Sequence, residues 1–367
     1  MNDIYSYLRE LVARQFAEQY NLDYRTIYNS SFVIERPKRE DNGDISTNIC
    51  MVNSKTLKIK PLNAAEELAE KLRASDDFEK IEVASPGFIN FWTRKTLWHK
   101  FLSLRLKTNE LVPTNIGSGK NVNVEYVSAN PTGPLHIGHC RGAVYGDVLA
   151  NLLEKTGHKV TREYYVNDAG IQISQLVSSV IIRINELLVK NISENYPENF
   201  YPGEYLVDVA RHILNKHGNA ILDNKEHLDI IRQETIEFLL NRIKSDLSSL
   251  SINQDLFVSE QSLIVEGKID DAINRLKDMD MIYRGTLEKP KGKEIEDWEP
   301  REQLLFRSTK FGDEIDRPLQ KSTGEWTYFA NDIAYHFDKI QRGSNHLIDI
   351  LGADHGGYVK RMNASVK

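Results

Sequence analysis

Two histidines three positions apart, His136 and His139, flank Ile137 and Gly138 in the run SANPTGPLHIGH over 128–139. Paired imidazoles can donate N–H bonds to phosphoryl oxygens as negative charge builds on them, and Gly138 lets a nucleotide ring approach the backbone. Two other readings stand beside this one. His136, His139 and Cys140 are metal-ligating types, but Cys50 is the only other cysteine and no Cys/His pair elsewhere has zinc spacing, so no bound metal is expected. Gly138, Gly142 and Gly146 could also serve only to ease close helix packing. Other phosphate loops are missing: there is no G-x-x-x-x-G-K-[ST] and no G-x-G-x-x-G entering a helix. Gly117-Ser-Gly-Lys120 precedes a strand and reads as linker.

The elements that must position the histidines follow from the flanking pattern. NVNVEYV (121–127) reads as a buried strand whose one charged residue, Glu125, needs a reason. Pro131 and Pro134 keep the next loop out of helix. An amphipathic helix is predicted from about Ile137 to Thr156, with Val144, Val148, Leu149, Leu152 and Leu153 on its apolar side and Gly157 as its stop. KVTREYYV (159–166) is then a second strand, which makes a βαβ unit of a parallel sheet. The histidines therefore fall at the carboxyl end of a strand and the start of a helix, where open α/β sheets bind ligands and where anions are favoured.

The whole chain has 367 residues, 40% hydrophobic and 27% charged, which fits two or three domains with ample core. A net charge of -6 argues against a generally basic nucleic-acid binder, so any RNA contact must be a local patch. Two distant cysteines offer no disulfide framework, no apolar run reaches membrane length and Met1–Tyr5 does not begin a signal sequence; a cytoplasmic protein without a membrane partner is expected. Residues 1–112 read as a small α+β module, opening on an amphipathic helix (Ile4, Leu8, Leu11, Val12, Phe16) and closing on strand-like segments 81–83 and 88–92. Basic residues around Arg36, Lys55 and Arg94 lie near Phe88, Phe91 and Trp92, a pattern that can hold RNA and equally suits a half-buried strand beside solvated lysines. A linker is read at 113–121 and the sheet domain at 122–367, interrupted by a helical insertion of about 185–300. Leu304–Ser308 is read as the return to the sheet.

The run EYVSANPTGPLHIGH (125–139) resembles the signature of class I aminoacyl-tRNA synthetases, and YVNDAGIQI (165–173), FRSTKFGD (306–313), EWTYFANDIAYH (325–336) and LGADHGGY (351–358) resemble the arginyl-tRNA synthetase family in the same order. The resemblance implies a Rossmann-like α/β catalytic domain preceded by the α+β module. It implies a ligase for L-arginine, ATP with its Mg2+, and tRNA(Arg), acting as a monomer, with His136, Gly138, His139, Asp354 and His355 toward ATP. It implies Glu125, Asn130, Tyr328 and Asp332 toward arginine, and Phe88 and Asn90 toward tRNA. Tyr328 and Asp332 share a helix face, and a carboxylate set edge-on accepts two parallel bonds from a guanidinium, although a helix-start carboxylate and a core aromatic are the plainer reading of the pair. The family's lysine-rich loop and anticodon-binding domain are not seen before Lys367, so the chain alone is expected to be inactive in aminoacylation. Rival expectations are an RNA-binding paralogue with a relic pocket, or another class I synthetase.

Overall fold

The computed structural model describes residues 3–108, 115–189, 195–224, 227–287, 301–321, 323–353 and 356–367, without the side chains of 55–57. The chain divides into two units, Met1–Ile116 and Gly117–Lys367.

The first unit runs α1 (Ile4–Gln19), α2 (Tyr24–Tyr28), β1 (Ile34–Glu35), β2 (Ile45–Thr47), α3 (Ile49–Leu57), α4 (Pro61–Leu72), β3 (Phe78–Ala84), β4 (Phe88–Thr93) and α5 (Lys95–Thr108). Asp3 starts α1 by accepting the Ser6 N–H at 2.8 Å, and Pro61 opens α4 where its missing N–H costs nothing. The antiparallel sheet has the order β1-β2-β4-β3. Leu8, Val12 and Phe16 of α1 and Leu68 and Leu72 of α4 close over Ile45, Ile89 and Phe91 of the sheet. Alternation along β4 leaves Phe88, Asn90 and Trp92 on the opposite face.

The second unit begins with β5 (Asn121–Glu125), α6 (Ile137–Lys155), β6 (Lys159–Val166), α7 (Ile171–Val189), α8 (Tyr205–His217) and α9 (His227–Ser249). It continues with β7 (Leu256–Ser259), α10 (Glu260–Val265), α11 (Lys268–Asp278), β8 (Ile282–Thr286), β9 (Glu302–Phe306), β10 (Arg317–Pro318), α12 (Tyr328–Gln341), β11 (His346–Asp349) and α13 (Gly356–Val366). Four strands form a parallel sheet of order β11-β5-β6-β7. The chain leaves β5 toward β6 on one side and returns with β11 on the other, so the carboxyl ends of β5 and β11 frame a topological switch point. Among the described residues no helix is long and apolar enough to cross a membrane.

Helix α7 starts at Ile171, before the 185–300 span read as an insertion, and β7, within that span, pairs in parallel with β6. Two sequence expectations are corrected. The segment at 304–308 does not rejoin that sheet, because β9 pairs antiparallel with β8 and β10 in a separate three-stranded sheet. Helix α6 turns its small residues inward: Ala143, Gly146 and Ala150 are buried, while Val144, Val148 and Leu152 are about half exposed. Close approach decides this, since a Cβ at Gly146 would lie 2.2 Å from the buried Tyr126 ring.

Candidate active site

A cleft of about 1120 Å3 opens at the carboxyl ends of β5, β6 and β11. Its phosphate-ready wall is the start of α6. His136 is the N-cap residue and its Nδ1 accepts the Gly138 N–H at 3.1 Å; His139 Nδ1 accepts the His136 N–H at 3.3 Å, which closes a reciprocal capping box. The two rings stack with centroids 3.7 Å apart. A ring nitrogen that accepts a backbone N–H carries no proton, so in the neutral imidazole the proton is on Nε2. Capping thus converts both side chains into Nε2–H donors beside a helix N-terminus. Burial, with the His136 charge second, lowers the His139 pKa below the usual histidine value and keeps that ring neutral at pH 7. A Cβ at Gly138 would lie 2.9 Å from the His136 ring, so a larger residue there would push that ring from its present position.

The loop between β5 and α6 is held from outside. Val127 and Ser128 take φ of 70° and 39°, a conformation that is costly for a β-branched residue. Compensating bonds surround them: Ser128 Oγ donates to Glu125 Oε1 at 2.9 Å and accepts the Tyr165 N–H at 3.0 Å. Tyr164 Oη donates to the Ala129 carbonyl at 2.7 Å, and Tyr205 Oη, from α8, to the Thr132 carbonyl at 2.6 Å.

The facing wall is α12, whose N-cap Thr327 accepts the Ala330 N–H at 3.3 Å. Tyr328, Asp332, His336 and Lys339 recur at helical spacing along one face. Tyr328 is exposed at the cleft mouth and Asp332 sits partly buried one turn further in, accepting a hydrogen bond from the Tyr358 hydroxyl of α13. Desolvation pushes the Asp332 carboxyl up to about 7; His336 opposes this, and Glu125, Glu260 and Asp349 add to it. A cation arriving at Asp332 therefore meets a carboxyl that gains by ionising against it.

Glu125 lines the same cleft, but its charge is already met: Lys339 Nζ, fully buried, lies 2.5 Å from Glu125 Oε2 and 2.8 Å from Asp349 Oδ1. The expected pocket acid Glu125 therefore lines the cleft with a cation of the fold already against it. Asn130 also reaches the cleft, its amide donating to Gln172 Oε1 at 2.9 Å. Lys339, Asp349 and Tyr358 were missed at the sequence level. Lys339 and His336 were within reach, since they extend the spacing that picked out Tyr328 and Asp332; Asp349 and Tyr358 arrive through sheet register and tertiary packing.

The cleft thus sets two imidazole donors opposite a partly buried carboxylate with an aromatic beside it. Residues 102–351 match the family of class I (R) tRNA synthetase catalytic domains, and residues 6–92 the arginyl tRNA synthetase N terminal domain. The chain belongs to the class I arginyl-tRNA synthetase family. It is 49% identical over 356 residues to an arginine–tRNA ligase of Wolbachia pipientis wMel, covering 96% of this chain and 62% of that protein. It is 48% identical to one of Rickettsia bellii, covering 93% and 60%. The fold matches the crystal structure of arginyl-tRNA synthetase from Plasmodium falciparum with a TM-score of 0.66 at 17% identity, over all of this chain and 62% of that one. The chain spans about 60% of the length of these curated relatives.

Asp354 and His355 lie outside the described residues. Phe88 and Asn90 are on the face of the first unit's sheet that is turned away from its core, with Asn90 between Ser46 and Glu82 in register and only 6% exposed. Trp92 on the same face lies under the Lys80 ammonium at 4.3 Å.

Proposed function

We propose that the cleft binds L-arginine and ATP, forms arginyl-adenylate and passes the arginyl group to tRNA(Arg). The observation that carries this reading is the single cleft in which His136 and His139 lie on one wall and Asp332 with Tyr328 on the other. Asp332 receives the guanidinium fork, Tyr328 lies beside its plane, and Asn130 orients the α-amino or carboxylate end. Glu125, its charge held by Lys339, lines the same pocket as a second acid. ATP, entering with Mg2+ on its phosphates, places its α-phosphoryl oxygens against the two Nε2–H groups and Gly138 under the nucleoside. An arginine carboxylate oxygen attacks the α-phosphorus and pyrophosphate leaves; a terminal ribose hydroxyl of the tRNA then attacks the acyl carbon and AMP leaves. Positioning and charge neutralisation supply most of the acceleration in such transfers, and the stacked imidazoles provide the second. Phe88 and Asn90, with the neighbouring Trp92, contact the tRNA from the first unit.

Thermal-shift and calorimetric titration of the chain with all twenty amino acids, with and without ATP, tests the assignment. Arginine alone should stabilise and bind, and lysine, a point charge without the fork, should not. Binding of another amino acid in preference to arginine overturns it.

A further inference from the structure

Register places three acids in one row across the parallel sheet: Asp349 of β11 pairs with Glu125 of β5, which pairs with Glu163 of β6. In-register neighbours share a face, so three carboxylates stand side by side at the sheet's carboxyl end. Such a row is strongly self-repelling unless cations meet it. One helix supplies them. Arg342, the C-cap residue of α12, binds the fully buried Glu163 bidentately at 2.7 and 2.8 Å, and Lys339 bridges Glu125 and Asp349. His336 Nε2 lies 2.7 Å from Asp349 Oδ2, while its Nδ1 lies 2.8 Å from the Asp332 carbonyl. Both of those oxygens can only accept, so both ring nitrogens must donate and His336 is held as an imidazolium. Three cations of α12 thus answer three carboxylates of the sheet. Asp332 is outside this balance: among the described residues no ion pair holds it, and the hydrogen bond to its carboxylate comes from the neutral Tyr358 hydroxyl.

We infer that His336 and Lys339 are specificity-setting residues that hold the charges of Glu125 and Asp349, so that Asp332, with the buried Glu260 behind it, is the acid of the described cleft wall left to meet the substrate's cation. The inference rests on the proposed arginine site and adds who sets its charge. A cleft presenting three free acids would attract any cation, polyamines and metal ions included. With two acids answered from within the fold, a planar fork aimed at one carboxylate is selected. Lys339 touches no substrate in this scheme; it acts through Glu125 and Asp349, as a positioning residue.

Asp332 is surrounded by His336 on its own helix, Glu125 on β5, Asp349 on β11, Glu260 on α10, Tyr165 on β6 and Tyr358 on α13. Changing one member of the cation–acid row should therefore move the pH midpoint of arginine binding in a direction set by the sign of the charge removed. Arginine affinity is measured by calorimetry from pH 5.5 to 8.5 on the full chain. Lys339→Met should raise the midpoint and Asp349→Asn and Glu125→Gln should lower it, each by about one pH unit, with Lys339→Arg restoring the parent value. Lys339→Met should also bind spermidine at least tenfold more tightly than the parent. If Lys339→Met does not fold, the two isosteric acid variants carry the test. Midpoints that stay put, or that move upward for the acid variants, overturn the inference while the arginine site stands. A parent chain that binds no arginine at any pH overturns the site itself.

Discussion

Asp332 has conflicting requirements, because the surroundings that desolvate it also make it the right partner for a guanidinium. Its carboxyl titrates near 7 in the free chain, above its ordinary 3.8, and an adjacent guanidinium favours the ionised form. If the proposed site holds, arginine binding below pH 7 should be accompanied by proton release, and affinity should climb up to tenfold per pH unit toward 7 and level off above it; calorimetry in buffers of different ionisation enthalpy reads both the affinity and the proton count. A flat affinity between pH 5.5 and 8 would mean that Asp332 is ionised before the ligand arrives. The same shift has a cost for folding. A carboxyl whose folded pKa is raised contributes its stability at low pH and loses it as pH rises, here across the window from about 3.8 to about 7. Asp332→Asn should accordingly become more stable than the parent by an amount that grows through that window and stays level above it, as chemical denaturation at several pH values will show. Its arginine affinity should fall by one to two powers of ten or more, since each charge-assisted bond to the guanidinium is worth about 1.5–3 kcal/mol.

Element by element, the site depends on how closely α6 and α12 approach the sheet. Gly146→Ala puts a methyl group into the buried Tyr126 ring, so it should cost about 1–3 kcal/mol of unfolding free energy even though alanine is the better helix former. Urea denaturation checks this, and an unchanged midpoint would show that α6 can slide outward. The sequence made the βαβ unit legible because β5, α6 and β6 have clean periods and a glycine stop, and it put His136 with His139 and Tyr328 with Asp332 on shared elements, while the roles expected of Tyr328 and Asp332 came from the family resemblance and not from their spacing. The inward face of α6 was not legible. Counting apolar residues selects Val144, Val148, Leu149, Leu152 and Leu153, of which Leu153 packs on the core, whereas Ala143, Gly146 and Ala150 are the buried positions because Tyr126 already fills the space against Gly146. Nor could the spacing show that Glu125 is answered by Lys339, 214 positions away. Long-range ion pairs leave no periodic trace, and a strand acid such as Asp349 looks like a break in the pattern until its neighbour in the sheet is known.

At the scale of the whole molecule, the two units bury separate cores. The first closes Leu8, Val12, Phe16, Leu68, Leu72, Ile89 and Phe91 into one cluster drawn entirely from its own residues, and the parallel sheet of the second packs Val122, Val124, Tyr126, Ala143, Tyr164 and Ile243 into another. A unit of about 115 residues with its own core is within the range of domains that fold alone. The 1–116 segment should therefore express as a folded protein with one cooperative unfolding transition. In the full chain a lesion confined to the second core, Gly146→Ala, should lower one transition and leave the other in place. The tryptophans separate the two signals, because Trp92 and Trp98 belong to the first unit and Trp298 and Trp326 to the second. Replacing Trp92 and Trp98 by Phe removes the first unit's fluorescence, so the remaining change reports on the sheet domain. A single transition that shifts as a whole under Gly146→Ala, seen equally by both sets of tryptophans, would mean that the two cores unfold as one cooperative body, and that the proposed arginine cleft and the proposed tRNA-contacting sheet share their stability.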